Sequence, residues 1–181
     1  MIFRPTPVPG AWLVDLEAHH DQRGFFARAF CRDELLARGI ELEVAQANVA
    51  WNGARGTLRG LHYQRPPHAE AKLVRCVRGA VFVVLVDLRR VSPAFARPWS
   101  VTLASSESTQ LFIPEGVANG YQTLEDATEL YYLMSSAYRA EAAAGIRYDD
   151  PSLGIEWPLA VSVVSQRDRE LAPFDPERCA I

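Results

Sequence analysis

The sequence has almost no lysine and no excess of positive charge. Of its 19 basic residues, 18 are arginine, and Lys72 is the only lysine. The formal net charge is −3, whereas general nucleic-acid binding requires a clear cationic excess. A nucleic-acid partner is therefore not expected, and any recognition of phosphate must be local.

Cysteines are also few, and the chain has no long apolar run. Cys31, Cys76 and Cys179 are odd in number and lack the paired spacing of a zinc site, so we expect reduced thiols. The N-terminal segment MIFRPTPVPGAWLVDL is interrupted by three prolines, so neither a signal peptide nor a membrane anchor is expected. These features favour a soluble cytoplasmic protein without a membrane partner.

No repeat, low-complexity tract or linker divides the chain. Its 181 residues are 49% hydrophobic, which is enough to bury one sizeable core. The expected organisation is therefore one domain over residues 1–181.

Short strand-like segments dominate the pattern. KLVRCV (72–77) and AVFVVLVDL (80–88) flank an Arg-Gly pair, which predicts a hairpin. WSVTL (99–103), STQLFI (108–113) and TELYYLM (128–134) continue the series. Helices are predicted only at CRDELLARG (31–39), ending at Gly39, and at RAEAAAG (139–145). The pattern predicts an all-β fold, an antiparallel sandwich or barrel with a few short peripheral helices.

His62, in the stretch RGLHYQ, has three possible roles: metal ligand, proton-transfer catalyst or structural residue. Its position matches the first histidine of a metal-binding cupin, but Gln64 and Asn119 occupy the positions of the next two ligands. His68 and Glu70 follow two prolines and are expected in a loop. Since a divalent site usually needs about three protein ligands, no metal site is expected.

Six segments occur in an order that identifies a family. They are DQRGFFARAF, QANVAWNGARGTLRGLHYQ, KLVRCVRG, FIPEGVANGYQTLEDATELYYLMS, YDDPSLGIEWP and SQRD. Over residues 21–168 the chain resembles the dTDP-4-dehydrorhamnose 3,5-epimerases, which are metal-independent cupins. The resemblance implies a cupin-like jelly roll without cofactor. It also implies inversion of C3, C5 or both in a dTDP-linked 4-keto-6-deoxy sugar, as in conversion of dTDP-4-dehydro-6-deoxy-D-glucose to dTDP-4-dehydro-L-rhamnose.

The chemistry of such a sugar defines the groups that the site needs. The C4 ketone acidifies the protons at C3 and C5, so inversion needs a base, an acid on the opposite face and a group that holds the enolate oxygen. His62 suits the base, since an imidazole of pKa about 6.5 is partly free to accept a proton at neutral pH. By resemblance, Asp168 orients that imidazole; otherwise it would be read as a surface aspartate.

Lys72 is the candidate for the enolate oxygen, because an ammonium is a compact charge that approaches a single oxygen closely. The alternative is an exposed lysine at the start of a strand. The resemblance selects Tyr132 rather than Tyr131 as the acid, and adjacent strand residues face opposite sides, so only one of the two lines a pocket. A phenol of pKa about 10 keeps its proton at neutral pH.

The resemblance also supplies candidates for substrate binding. Arg23 and Arg59 resemble residues that hold the diphosphate, and Phe26 and Tyr138 resemble residues that contact the base and sugar. The remaining candidates for the sugar pocket are Gln46, Asn48 and Asn119. Either aromatic residue could equally belong to the core. A homodimer with sites completed across the interface is implied.

Three positions depart from the family pattern. Arg28 replaces a common glutamate associated with reading the base, Asn119 replaces a pocket histidine, and Tyr121 replaces a common phenylalanine. These changes leave open a related 4-keto sugar or inversion of a single carbon. Two alternatives from other classes remain: a metal-dependent cupin such as a dioxygenase, and a non-catalytic protein that binds sugar nucleotides.

Overall fold

The computed structural model describes residues 1–181 as fourteen strands and three short helices. The strands are β1 Ile2–Pro5, β2 Trp12–Asp15, β3 His19–Asp21, β4 Gly24–Phe26, β5 Gln46–Asn52, β6 Thr57–Gln64, β7 Lys72–Arg78, β8 Ala80–Asp87, β9 Pro98–Ala104, β10 Thr109–Ile113, β11 Val117–Thr123, β12 Thr128–Met134, β13 Ala143–Gly145 and β14 Val163–Val164. The helices are α1 Arg32–Leu36, α2 Gln166–Arg169 and α3 Pro176–Cys179. No helix has the length and apolarity that crossing a membrane requires.

Two sheets form a sandwich. The first sheet has the order β1-β2-β10-β7-β12-β5, and the second has the order β13-β6-β11-β8-β9, with β14 beside β6. Strands β3 and β4 form a separate hairpin. All pairs of named strands are antiparallel except β14 with β6. This architecture confirms the all-β, cupin-like class that the sequence predicts.

The inner core lies between the facing sheets because alternate residues of each strand point inward. Val74 and Leu111 come from the first sheet, and Val83 and Leu103 come from the second; all four are buried. Two further clusters cover the outer faces. One packs the C-terminal segment against the second sheet, and the other packs α1 against the first through Leu35.

Several predicted elements are confirmed. The segments 99–103, 108–113 and 128–134 correspond to β9, β10 and β12. The predicted helix at 31–39 contains α1, and Gly39 follows it with a φ of +72°, which a residue without a side chain adopts easily.

The predicted hairpin between residues 72–77 and 80–88 is wrong. Strand β7 pairs with β10 and β12 in the first sheet, whereas β8 pairs with β9 and β11 in the second. Gly79, with a φ of +76°, lies where the chain passes from one sheet to the other. Two buried apolar runs around a glycine have the same local pattern in both arrangements, so partners distant in sequence decide the pairing.

The predicted helix at residues 139–145 is also wrong. Residues 143–145 form β13, which pairs with β6 so that Gly145 lies opposite His62. The alanines favour a helix in isolation, but the backbone hydrogen bonds offered by the edge of the second sheet override that weak preference.

Candidate active site

A cavity of about 440 Å³ lies between the two sheets. It is lined by eight of the eleven residues that the sequence nominates: Gln46, Asn48, Arg59, His62, Lys72, Asn119, Tyr132 and Tyr138. Asp168 contacts one of them, whereas Arg23 and Phe26 lie elsewhere. Strands distant in sequence therefore bring most of the nominated side chains together.

An irregularity in β6 directs both Arg59 and His62 into the cavity. Residues three apart on a regular strand face opposite sides. Here Asn119 lies opposite His62 and Tyr121 lies opposite Arg59, so β6 contains one residue more than β11 over the same interval. This bulge restores both side chains to one face. A Cβ at Gly60 would lie 2.4 Å from the Cα of Gly120, so the close approach of these strands requires glycine.

His62 and Asp168 form a hydrogen-bonded pair. Nε2 of His62 lies 2.7 Å from Oδ1 of Asp168, and the Gly60 N–H donates to Oδ2 at 3.3 Å. Ser165 caps α2 by accepting from the Asp168 N–H, which fixes the aspartate at the start of that helix. The imidazole is 39% exposed and the carboxylate 4% exposed, so Nδ1 is the ring nitrogen left for a substrate.

The environment of Asp168 keeps the carboxylate charged. Burial alone would raise the pKa of Asp168, but the hydrogen bond and charge of His62, together with the Gly60 N–H, more than offset it and leave the pKa below its ordinary value. A charged carboxylate stabilises an imidazolium when His62 accepts a proton.

Lys72 contacts two polar side chains inside the cavity. Its Nζ donates to Oδ1 of Asn119 at 2.5 Å and forms an ion pair with Oε1 of Glu70 at 3.0 Å. The Lys72 and Glu70 side chains are 9% and 8% exposed, so this charge pair is largely removed from solvent. Lys72 therefore lies inside the cavity, so the alternative of an exposed lysine at the start of a strand is wrong. Its role at the enolate oxygen stays a prediction.

Tyr132 lines the cavity, whereas the neighbouring Tyr131 points away from it and is exposed. Burial raises the pKa of Tyr132 well above its ordinary value, and the adjacent Tyr121 raises it further. The Tyr121 hydroxyl donates to Oδ1 of Asn52 at 3.2 Å, and Nε of Arg59 donates to the same oxygen at 2.9 Å. The phenol of Tyr132 therefore keeps its proton at neutral pH.

The imidazole of His62 and the phenol of Tyr132 lie on opposite walls of the cavity. His62 belongs to β6 in the second sheet, and Tyr132 belongs to β12 in the first. Because the inner faces of the two sheets oppose each other, the two side chains border the cavity from opposite sheets. Lys72, on β7 beside β12, lies next to the same space.

The other nominated residues divide between the cavity and a separate hairpin. Oε1 of Gln46 accepts from the Tyr138 N–H at 3.0 Å, and Nδ2 of Asn48 contacts Sδ of Met134 at 3.5 Å. Arg23 lies in the turn between β3 and β4, with its side chain 90% exposed and paired with Asp21. Phe26, on β4, is 76% exposed. A core position for Phe26 is therefore wrong, and substrate binding by Arg23 and Phe26 stays a prediction.

Three further residues line the cavity without a role predicted from the sequence. Glu70 was expected in a loop, Tyr121 was noted only as a departure from the family pattern, and Arg167 was not singled out. Glu70 precedes Lys72 by two residues, a spacing that places side chains on one side of an extended chain and could have indicated it.

Gln64 and Asn119, at the positions that hold metal ligands in metal-binding cupins, bind other protein atoms. Gln64 donates to Oε2 of Glu70 at 3.0 Å, and its own Oε1 accepts from the Arg139 N–H at 2.7 Å. No group of three or more His, Cys, Asp or Glu side chains is arranged to hold a metal ion.

Known proteins resemble this chain along nearly its whole length. Residues 5–175 match the family model described as dTDP-4-dehydrorhamnose 3,5-epimerase. The enzyme of that name from Methanothermobacter thermautotrophicus is 37% identical over 95% of this chain and 94% of its own length. The Bacillus anthracis 3,5-epimerase, crystallised with TDP and PPi, has a TM-score of 0.93 and 33% identity, covering 96% of this chain and 99% of that one.

A third relative carries a narrower name. A 3'-monoepimerase from Streptomyces bikiniensis, in complex with dTDP-quinovose, has a TM-score of 0.87 and 36% identity, covering 93% of this chain and 86% of that one. The identity is close to that of the double epimerases, so it does not separate one-carbon from two-carbon inversion. The match over residues 5–175 and the shared fold show that the chain belongs to the dTDP-4-dehydrorhamnose 3,5-epimerase family.

Proposed function

We propose that this chain inverts C3, C5 or both in a dTDP-linked 4-keto-6-deoxyhexose, with His62 as base and Tyr132 as acid. Family membership makes the protein an epimerase, which belongs to the isomerases. The observation that carries the assignment of roles is the position of His62 and Tyr132 on facing sheets across one cavity. The expected reaction converts dTDP-4-dehydro-6-deoxy-D-glucose into dTDP-4-dehydro-L-rhamnose.

In the first step, Nδ1 of His62 takes the proton from the carbon next to the ketone. The electron pair of the broken C–H bond moves into the ring and onto the ketone oxygen, which gives an enolate. Asp168, 2.7 Å from Nε2, holds the ring in one orientation and stabilises the imidazolium. The Lys72 ammonium donates to the enolate oxygen.

In the second step, Tyr132 protonates the same carbon from the opposite face. The new C–H bond forms as the phenolic O–H bond breaks, and the configuration is inverted. A phenol whose pKa lies above its ordinary value is a weak acid in water, but an enolate carbon beside it is a strong acceptor. The nearby Arg59 guanidinium stabilises the phenolate that forms, since its charge acts to lower the Tyr132 pKa.

The diphosphate binds at the mouth of the cavity in this proposal. Arg59 and Arg167 both line the cavity and both are exposed, so their guanidinium groups are available to phosphate oxygens. Gln46 and Asn48, with Tyr138, lie along β5 and the adjoining segment, where they meet the sugar. The nucleotide then extends outward from the sandwich.

A second copy of the chain would complete the site. Arg23 and Phe26 extend from an exposed hairpin and do not reach the cavity of their own chain, so they serve a neighbouring subunit in this proposal. The outer face of the first sheet near its β5 edge exposes Val49 and Trp51, with Tyr131 on the adjoining strand. An exposed apolar patch at a sheet edge is typical of a protein interface. A homodimer would bring the exposed hairpin to a neighbouring cavity and would bury the apolar patch at the β5 edge.

One domain and a cytoplasmic location accompany this function. The inner core takes residues from strands between β2 and β12, which supports residues 1–181 as a single folding unit. All three cysteines are free, and two of them are buried, which agrees with a reducing compartment.

Inversion of a single carbon is the second candidate, because a relative of similar identity is named a 3'-monoepimerase. The test of both uses NMR of dTDP-4-dehydro-6-deoxy-D-glucose incubated with the protein in deuterated water. Exchange with inversion at both carbons supports the double epimerase, and exchange at one supports the single. Binding of the sugar nucleotide without exchange at either carbon would contradict the proposal.

A further inference from the structure

The cavity contains a buried carboxylate to which the proposed reaction gives no role. Glu70 is 8% exposed and lies in the loop before β7. Its Oε1 is 3.0 Å from Nζ of Lys72, and its Oε2 accepts from Nε2 of Gln64 at 3.0 Å. Placing a carboxylate away from water is costly unless both of its oxygens find partners, and here both do.

We propose that Glu70 is a positioning residue that, together with Asn119, directs a remaining N–H of Lys72 toward the enolate oxygen. This inference rests on the proposed function, in which Lys72 holds that oxygen. An ammonium has three N–H donors. Asn119 and Glu70 are the two protein acceptors at Nζ, so at least one donor is left for the substrate.

Glu70 is itself held in place by a fixed partner. Gln64, on β6, is 3% exposed and is anchored by the Arg139 N–H at 2.7 Å and by the carbonyl oxygen of His68 at 3.1 Å. The chain of contacts therefore runs from the second sheet through Gln64 and Glu70 to Lys72 on the first. A flexible four-carbon side chain with two fixed contacts at its end loses most of its freedom before substrate binds, which favours the transition state.

A carboxylate provides two acceptor oxygens at this position, one for each neighbouring donor. Glu70 faces two donors, the Lys72 ammonium and the Gln64 amide. A glutamine at this position would have only one acceptor atom, its oxygen. Its NH₂ group would then face either the Lys72 ammonium or the Gln64 amide N–H, which are both donors. Glu70→Gln therefore disturbs Lys72 while almost conserving side-chain volume.

Loss of Glu70 should affect deuterium exchange and inversion differently from loss of the proposed acid Tyr132. Proton removal and proton return both pass through transition states in which the ketone oxygen carries negative charge, so loss of the Lys72 position lowers deuterium exchange and inversion in parallel. Glu70→Gln should lower both rates about 10-fold to 10²-fold. Affinity for dTDP should stay within about twofold, because Glu70 contacts Lys72 at the proposed sugar end of the cavity.

A double-mutant cycle tests whether Glu70 acts through Lys72. The four proteins are the wild type, Glu70→Gln, Lys72→Met and the double variant, assayed for exchange and inversion of dTDP-4-dehydro-6-deoxy-D-glucose in deuterated water. In the Lys72→Met background, Glu70→Gln should cause no further loss, since there is no ammonium left to position. Glu107→Gln, an exposed glutamate on the turn before β10, is the matched control and should behave as wild type.

Folding defects are separated by two measurements. The melting temperature and the dTDP affinity are recorded for each variant. A further variant, Glu70→Asp, retains the negative charge but shortens the side chain by one methylene, which moves the charge away from Lys72. Glu70→Asp should also lower exchange and inversion in parallel.

The inference is overturned if Glu70→Gln costs the same factor in both backgrounds, leaves turnover unchanged or raises it, or weakens dTDP binding as much as it lowers kcat. Failure of the proposed function looks different: Lys72→Met would turn over like the wild type, or the wild type would exchange neither carbon.

Discussion

The two ends of the sandwich are built from the same strands but contain different side chains. Along β7, the inward-facing series runs from Lys72 through Val74 to Cys76, and along β12 it runs from Met134 through Tyr132 to Leu130. At one end these series meet in a buried apolar core, and at the other they line the polar cavity. The inward-facing side chains of the same two strands therefore contribute to the apolar core at one end and to the polar cavity at the other.

The two ends satisfy opposite physical requirements. Leu103 and Leu111 in the inner core are fully buried and contribute by leaving water. The cavity instead buries the Lys72–Glu70 ion pair and the Asp168 carboxylate, whose desolvation opposes folding unless hydrogen bonds offset it. The comparison predicts that substitutions at the cavity end change turnover with little loss of stability, and that substitutions at the core end do the reverse.

The largest expected effect on turnover comes from His62→Ala. Without the imidazole no base is left on the second sheet, so epimerisation should fall to near the uncatalysed rate. The side chain is 39% exposed, so the melting temperature should change little. The rate is measured by NMR with dTDP-4-dehydro-6-deoxy-D-glucose. Retention of more than a tenth of the wild-type rate would exclude His62 as the base.

Asp168→Asn should lower turnover by about 10²-fold, because the imidazole loses both its orientation and the charge that stabilises its protonated form. Asp87→Asn is the matched control. Asp87 is fully buried and accepts from Arg89 and Ser92, but it does not line the cavity. It should lose stability while the folded fraction keeps its rate. Equal effects of both variants on the rate would mean that burial of an aspartate, not contact with His62, matters.

Leu103→Ala tests the core end directly. Removing a fully buried leucine should lower the free energy of unfolding by about 2–5 kcal/mol, since the lost apolar contacts leave a cavity. The kcat of the protein that remains folded should stay within about twofold of the wild type, because no contact in the substrate cavity changes. Urea unfolding measures the change in the free energy of unfolding, and the NMR assay measures kcat. A loss of kcat without loss of stability would contradict the separation of the two ends.

The smallest expected effect is that of a chelator. Gln64 and Asn119 engage Glu70 and Lys72 instead of an ion, so incubation with EDTA should leave the rate unchanged. Loss of activity that one added metal restores would show that the cavity uses an ion after all.

Local pattern predicted the strands of the sandwich but not which of them pair. The alternation of β12 was recognisable from TELYYLM and indicated that only one of Tyr131 and Tyr132 lines a pocket, whereas the family resemblance selected Tyr132. The crossing between β7 and β8 and the identity of β13 were not recognisable, because both depend on partners far away in the sequence.

The site shows the same limit. The contact between His62 and Asp168 joins residues 106 apart, and only the family resemblance indicated it. The bulge at Gly60 that turns Arg59 inward depends on the mismatch with β11, which no local pattern shows. Glu70 was not predicted as a site residue because it follows two prolines in an expected loop, although its spacing of two residues from Lys72 was a usable signal.

Tyr132→Phe in deuterated water tests whether opposite sheets serve opposite faces of the sugar. General acid catalysis is worth about 10²–10⁴ in rate, so inversion should fall by that order. Deuterium exchange should survive better, because the His62 imidazolium exchanges with solvent and returns a deuteron to the original face. We expect labelled substrate of unchanged configuration to accumulate faster than the epimer. A parallel fall of exchange and inversion would contradict it and would make Tyr132 a group that positions the sugar.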